Sequence, residues 1–175
     1  MNKFLKILFF SFTFFVIFGE AVSAATIYVD SSTGNDTTGD GSSGTPYKTF
    51  HKAYTMSSDN DTVDLTGTFT WTDADETGDS SYNGYTIEKD LIINGNGIDQ
   101  TIIQSASSST TGNRRIFTIS STASSTIQNL TLRYGRITST SYYGGAVFND
   151  DGALLIDNCE IYDNRAGGGG GGVAS

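Results

Sequence analysis

Two stretches of the chain repeat, at offsets of 29 and 26 residues. Segment 127–132 aligns with 156–161, with apolar residues at the first, fourth and sixth places, and segment 144–149 aligns with 170–175. A unit of this length that holds several short strands and no helix predicts one coil of a β-solenoid. Such a coil buries its core only against stacked neighbours.

The third place of the first repeat is Asn in both copies, at Asn129 and Asn158. The alternation of inward and outward residues slips by one position there. Asn tolerates the left-handed backbone conformation that bends a strand, so the sequence predicts a corner at each Asn. A β-sandwich is the alternative arrangement, but it would not require the same bend residue in both repeats.

Composition excludes several other classes of protein. The chain has 21 Gly but one Pro, one Cys and one His, and charged residues make up 17%. These numbers exclude a disulfide scaffold and a Cys/His metal cluster, and they argue against a helical bundle. Hydrophobic residues reach 37%, which argues against disorder.

The charge balance of the chain indicates which kinds of partner the protein can bind. The net charge is −9, and Arg114 and Arg115 are the one adjacent basic pair, which we interpret as a solvated strand edge. A nucleic-acid binder needs a basic face, so no nucleic-acid partner is predicted. The acidic balance fits an exported surface.

Residues 1–24 read as a secretory signal peptide. Lys3 and Lys6 precede an apolar stretch at 7–18, and small residues at 22–24 form a cleavage site. The stretch is shorter than the about 20 residues of a spanning helix, and an uncleaved anchor is the alternative. We expect a mature chain that begins at Ala25, has no membrane span, and is secreted to the extracellular space or to the outer-membrane or cell surface.

The next segment predicts a strand, a loop and a helix. Residues 26–29 are β-branched and aromatic, and 30–45 is rich in Gly, Ser, Thr, Asn and Asp. Thr45 and Pro46 predict the start of a helix that ends near 57–59. The apolar face of this helix consists of Tyr47, Phe50, Ala53 and Tyr54. Beyond it the sequence predicts only short strands, at 62–65, 67–71, 85–87, 91–93, 101–104, 116–120, 125–132, 145–148 and 153–161.

The residues at 28–30, 34–36, 40–41, 45–50 and 53 resemble the amino-terminal cap of secreted right-handed parallel β-helix proteins, the pectate-lyase-like superfamily. Segment 93–103 resembles an early coil of that fold. The Gly-Gly-Ala-Val at 144–147, followed by 163–164 and a Gly run, resembles the repeats of polymorphic outer-membrane proteins. This resemblance implies a fold that hosts lyases, hydrolases, adhesins and passenger domains alike.

The predicted fold is therefore all-β, a right-handed parallel β-helix of about four coils with a short amino-terminal capping strand and helix. Its divisions are a signal peptide at 1–24, a cap at 25–60 and coils at 61–175. We expect the chain to be the amino-terminal part of a longer protein, since 170–175 repeats the start of a coil. The predicted inward residues are Leu91, Ile93, Ile127, Leu130, Leu132, Ile156, Cys159 and Ile161.

Candidate catalytic groups each have a plainer interpretation. Residues 149–151 offer paired acids, which glycoside hydrolysis requires, but Gly152 follows and a polar turn is favoured. The resemblance implies that a lyase would use an Arg or Lys base beside calcium-binding acids. Arg133, Arg136 and Arg165 are present, but no matching acid set is recognisable. We therefore predict no catalytic or cofactor-binding residue.

The remaining candidates for a binding site are turns whose side chains carry oxygen atoms. Asn35, Asp36 and Asp40 could bind calcium, although a Gly-rich turn is favoured, and 59–61 reads as a helix-ending turn. His51 is predicted on the helix surface, and Cys159 as a buried small hydrophobe in the place of Leu130. The glycines at 167–172 are read as the bend that introduces a coil, or alternatively as a flexible linker.

The function predicted from the sequence is a secreted or surface-displayed β-helix scaffold, adhesin-like or in contact with carbohydrate, without catalysis in this segment. Its expected partners are extracellular glycans or host and cell-surface molecules. The alternative is the amino-terminal part of an extracellular polysaccharide lyase or glycoside hydrolase.

Overall fold

The computed structural model describes residues 23–77 and 82–175, so most of the predicted signal peptide lies outside the described residues. The elements are β1 Thr26–Asp30, α1 Phe50–Met56, β2 Asp61–Thr70, β3 Tyr85–Ile87, β4 Leu91–Gly95, β5 Thr101–Gln104, β6 Phe117–Ile119, β7 Ser124–Gln128, β8 Thr131–Arg133, β9 Arg136–Ile137, β10 Val147–Asn149, β11 Ala153–Asp157, β12 Glu160–Tyr162, β13 Arg165–Ala166 and β14 Val173–Ala174.

The strands stack as a parallel β-solenoid. One row of strands runs β1, β2, β4, β7, β11, and a second runs β2, β5, β8, β12. A third row runs β3, β6, β10, β14, and β9 pairs with β13. Every pair between these strands is parallel, and the described residues form about four coils. The predicted parallel β-helix is confirmed.

The register of the coils follows the sequence repeats. Ile127 pairs with Ile156, the offset of 29 residues, and Val147 pairs with Val173, the offset of 26. Earlier coils keep the same column with less sequence similarity, since Ile93 pairs with both Val63 and Ile127. The apolar side chains of this column face inward, which is why the repeat keeps them.

The core runs along the solenoid axis. Leu91, Ile93, Ile127, Leu130 and Leu132 are all buried, as predicted. The other three predicted core residues, Ile156, Cys159 and Ile161, have the same inward register but are only half-buried. They face inward as predicted, but they belong to the fourth coil, which the described residues cover on one side only, and this leaves them less buried than the other five.

The corner between the first two rows has the predicted left-handed Asn. Asn129 has a φ of 58° and Asn158 a φ of 47°. Their side chains also stack across coils: the Asn158 amide donates to Asn129 Oδ1 at 2.8 Å, and the Asn129 amide donates to Asn94 Oδ1 at 2.9 Å. Asn94 in turn donates to Asp64 at 2.9 Å. We call this series the amide ladder; it ties neighbouring coils together in register.

The helix begins later than predicted. Thr49 is the N-cap, with an extended backbone and a side chain that accepts a hydrogen bond from Lys52 N, and the first helical residue is Phe50. The predicted start at Thr45 and Pro46 was wrong because that segment pairs with β1. Tyr47 N donates to Tyr28 O at 3.0 Å, which holds the backbone extended.

Helix α1 lies at the first coil and inserts Phe50 into an aromatic cluster. The Phe50 ring is 4.9 Å from Tyr85 and 5.5 Å from Trp71, between centroids, and Trp71 is 5.8 Å from Phe117. Trp71 Nε1 donates to Ile116 O at 2.8 Å, so its polar atom is satisfied in the core. This is the position expected of an amino-terminal cap, while the boundaries at 24/25 and 60/61 stay predictions.

Candidate functional site

Three exposed tyrosines lie close together on one side of the solenoid. Tyr82 precedes β3, and Tyr142 and Tyr143 precede β10; they are 43%, 42% and 51% exposed. The rings of Tyr82 and Tyr142 stack with their centroids 5.8 Å apart and an interplanar angle of 6°. Gly144 follows with a φ of 67°, a left-handed turn that directs the chain into β10.

A pocket of about 170 Å³ lies beside these rings. We call it the tyrosine pocket. Its lining consists of Asn83, Arg115, Thr118, Ser141, Tyr142, Tyr143, Phe148 and Asp150.

The register between β6 and β10 determines which side chains form the base of the tyrosine pocket. Phe117 pairs with Val147, and both side chains are buried in the core. The next pair along, Thr118 and Phe148, therefore points to the opposite face of the sheet. The pocket thus combines a rigid sheet surface with loop residues that precede β3, β6 and β10, in three successive coils.

Arg115 is the charged group at the base of the tyrosine pocket. It is only 2% exposed, and its guanidinium lies 4.9 Å from the centroid of the Phe148 ring. Nη1 donates to Thr118 Oγ1 at 3.1 Å and Nη2 donates to Tyr143 O at 3.0 Å. Its buried Nε has no hydrogen-bond partner among the described residues. Burial lowers the pKa of Arg115, and the charges of Tyr142 and Asp150 oppose that effect.

The predicted solvated edge at Arg114 and Arg115 was therefore wrong. Arg115 is buried, and Arg114 is partly buried with Nη1 donating to Trp71 O at 3.0 Å. The sequence shows two adjacent cations, but only the fold shows that neighbouring coils cover them. Tyr82, Tyr142 and Tyr143 were not predicted either, because they lie in loops without a motif.

A second cleft, of about 270 Å³, lies between the cap and the loop after β2. Lys48 and Asp75 form an ion pair of 2.5 Å across its rim. Glu76 is buried in its wall and accepts from Phe50 N at 2.8 Å, His51 N at 3.0 Å and the Tyr85 hydroxyl at 3.1 Å. Burial raises the pKa of Glu76 to about 7. Because this carboxyl caps α1, its contacts assign it a structural role.

The candidate calcium ligands serve separate turns of the 30–49 loop. Asn35 accepts from two backbone N–H groups of its own turn. Asp36 accepts from two backbone N–H groups and from the Thr49 hydroxyl. A hydrogen bond from Thr45 lowers the pKa of Asp40 to about 2. Within residues 23–77 and 82–175, no three His, Cys, Asp or Glu side chains are grouped so as to hold a metal ion.

The acids at 59–61 end the helix, as predicted. Asp61 accepts from Ala25 N at 2.7 Å and from Ser58 N at 2.8 Å, and Asn60 has a φ of 71°. Asp59 accepts from Asp90 N at 3.1 Å. These contacts join the end of α1 to β1 and to the next coil.

The candidate catalytic acids lie in the turn between β10 and β11. Asp150 N donates to Ile119 O at 2.8 Å, and Asp151 has a φ of 61°. The Asn149 amide donates to Gly152 O at 2.8 Å and closes the turn. The polar turn predicted from Gly152 is what the structure shows, and of these acids Asp150 lines the tyrosine pocket.

The three candidate arginines occupy different places. Arg133 donates to Gln104 Oε1 at 2.9 Å and to the Tyr162 hydroxyl at 3.1 Å, in a row of outward side chains across the second row of strands. Arg136 Nη1 donates to Gly112 O at 3.0 Å. Arg165 is exposed and pairs through its backbone with Arg136.

His51 and Cys159 differ from their predicted surroundings. His51 is half-buried rather than on the helix surface, with its ring 6.4 Å from Tyr85, because the loop that carries Glu76 covers it. Cys159 is half-buried, its Sγ lies 3.5 Å from Ile127 O, and burial raises the pKa of its thiol.

The glycines at 167–172 form the bend between β13 and β14, as the coil interpretation predicted.

Comparison with known proteins adds no family to this description. No family model matches the chain, and no curated protein or solved structure matches it. In the part of the chain that the structure describes, no helix has the length and apolar character needed to cross a membrane.

Proposed function

We propose that this chain is a secreted or surface-displayed, adhesin-like β-helix scaffold that contacts glycans through the tyrosine pocket. The observation that carries the proposal is the group of exposed tyrosines around the buried Arg115. Large exposed aromatic groups beside a pocket with a few polar side chains are typical of recognition sites.

The chemistry of a sugar matches this surface. One face of a pyranose ring presents C–H groups and packs flat on an aromatic ring, while its rim presents hydroxyl groups. The exposed rings of Tyr142 and Tyr143 offer apolar faces, and Arg115 and Asp150 offer donors and acceptors. Glycan contact therefore explains why aromatic and charged groups occur together here.

The solenoid supports such a surface. Parallel strands fix the positions of Thr118 and Phe148 under the pocket, so the loops are displayed on a rigid base. The predicted signal peptide at 1–24 and the net charge of −9 favour export. Arg133 and Arg136 are engaged with other parts of the solenoid, and of the acids at 149–151 only Asp150 lines the pocket, so we favour a scaffold.

Binding of the purified protein to a glycan array tests the proposal. For the glycans that bind, we expect Tyr142→Ala and Tyr143→Ala to weaken the Kd about tenfold each, because each removes an aromatic contact. Tyr162→Ala is the matched control, since Tyr162 is also exposed and lies outside the tyrosine pocket.

The proposal fails if the folded protein binds no glycan, or if both pocket variants bind like the wild type. A folded state is checked for every variant by its thermal melt. An equal loss in Tyr162→Ala would show that binding does not depend on the tyrosine pocket.

A further inference from the structure

The tyrosine pocket contains one cation and one anion that do not form an ion pair with each other. Arg115 and Asp150 both line it, and the ion pair found among the described residues joins Lys48 to Asp75 instead. Two of the five Arg115 N–H donors are engaged, by Thr118 and by the Tyr143 carbonyl. Because Nε is buried, the donors left for a ligand are the remaining N–H groups of Nη1 and Nη2, beside the carboxylate of Asp150.

We propose that the tyrosine pocket takes one ring of a neutral sugar, with Arg115 donating to its hydroxyl oxygens and Asp150 accepting from its hydroxyl groups. This inference rests on the proposed function and names its ligand class. A hydroxyl group both donates and accepts, so neighbouring hydroxyls on one ring satisfy both side chains at once.

The size of the pocket limits the ligand to a single ring. Its volume of about 170 Å³ lies below the about 300–1,000 Å³ that is usual for sites of drug-sized ligands. Tyr142 borders it, held by stacking on Tyr82, and in this proposal an end residue of an oligosaccharide lies between Tyr142 and Arg115. The remainder of the glycan then extends along the exposed face of Tyr143.

Charge favours a neutral sugar over an acidic one. A sugar carboxylate only accepts hydrogen bonds and would lie beside the carboxylate of Asp150 in the same small pocket. The net charge of −9 also repels a polymer of uronic acids at long range. The positive charge of Arg115 already lies over the Phe148 ring, which offsets part of its need for an anion.

Calorimetric titration separates the two ligand classes. The probes are neutral cello-, manno- and galacto-oligosaccharides and an oligogalacturonide of the same length. We expect a neutral probe to bind with a Kd that changes little with added salt, because no net ion pair forms.

Asp150→Asn should weaken the binding of this neutral probe about threefold, since a charge-assisted hydrogen bond becomes a neutral one. Asp151→Asn is the control: it lies outside the pocket lining, and Asn tolerates its φ of 61°.

The opposite pattern would overturn the inference. Preferred binding of the oligogalacturonide, strengthened by Asp150→Asn and weakened by salt, would assign an acidic ligand and leave the proposed function standing. Neutral binding that Asp150→Asn does not change would remove Asp150 from the site and also overturn it. If the folded wild type binds neither class, nor any glycan on the array, the proposed function itself is wrong.

Discussion

Leu130 follows the Asn corner of the third coil and is completely buried. Aspartate there would place an unpaired charge in the core, so we expect Leu130→Asp to lower the free energy of unfolding by about 4 kcal/mol or more. Leu155→Asp is the matched control, because Leu155 is 58% exposed. Chemical denaturation measures both variants. Equal stabilities would mean that the inward face has been assigned incorrectly.

Asn129 combines a left-handed backbone with the amide ladder, and two substitutions separate these contributions. Asn129→Gly keeps the φ of 58° accessible and removes only the side-chain bonds. Asn129→Ala removes the same bonds and also strains the backbone, by about 1 kcal/mol more. We therefore expect the Ala variant to melt at a lower temperature than the Gly variant.

The reverse order of these two melting temperatures would show that the corner does not depend on the left-handed conformation. The role of Asn at this corner was predictable, because the slip in alternation occurs at the same residue in both repeats. The bonds of the ladder were not predictable, because they join residues 29 to 35 positions apart, such as Asn94 and Asn129.

At the scale of elements, helix α1 depends on a carboxyl from outside its own segment. Burial raises the pKa of Glu76 from 4.5 to about 7, so the folded state holds a proton that the unfolded chain releases between these values. The free energy of unfolding therefore falls by about 3 kcal/mol as the pH rises from about 4.5 to about 7.

Thermal melts across that pH range measure the effect. Glu76→Gln should flatten the decline, because Gln does not titrate. Asp73→Asn, at an exposed carboxylate of the same loop, should retain the wild-type profile. If Glu76→Gln retains the full decline, another group is responsible for it.

A strand could be predicted from the sequence where its apolar residues alternate with polar ones or where its sequence recurs in another coil. The columns of Ile127 with Ile156 and of Val147 with Val173 could be read from the sequence because both partners kept their type. Short strands such as Arg136–Ile137 have no pattern of their own and exist through pairing with β13. The helix start was misplaced because the hydrogen bond from Tyr47 N to Tyr28 O in β1 overrides the local helix signal of Thr45-Pro46.

The tyrosine pocket could not have been predicted for a related reason. Tyr82 and Tyr142 stack although they lie far apart in the chain, and they meet because β3, β6 and β10 are neighbours in one sheet. Nothing in the sequence around Arg115 distinguishes a covered guanidinium from a solvated one. A register error of one residue would have turned Phe148 into the core.

At the scale of the whole molecule, the coils differ in how many neighbours they have. β7 pairs with β4 on one side and β11 on the other, whereas β11 has a partner on one side among the described strands. In a solenoid each coil is stabilised mainly by its neighbours. We expect amide hydrogens of β11 and β12 to exchange faster than those of β4 and β7, as hydrogen-exchange mass spectrometry would measure.

Uniform protection across the four coils would contradict this expectation and indicate that the solenoid unfolds as one unit. The comparison is internal to one protein, so it needs no variant. Adding the glycan that binds best provides a further check, because it should protect the loops around Tyr142 more than β11.

Spacing between paired residues is 30, 34 and 29 from Val63 through Ile93 and Ile127 to Ile156. The variation falls at the corner: from this column to Thr68, Ile102, Thr131 and Glu160 in the second row, the chain takes 5, 9, 4 and 4 residues. The return to the next coil takes 25 residues each time. The corner thus accepts extra residues, such as those between Asn94 and Ile102, while the side-chain bonds of the amide ladder still join the coils across it. A coil can therefore gain residues at this corner without a change in the length of the far side, which carries the tyrosine pocket.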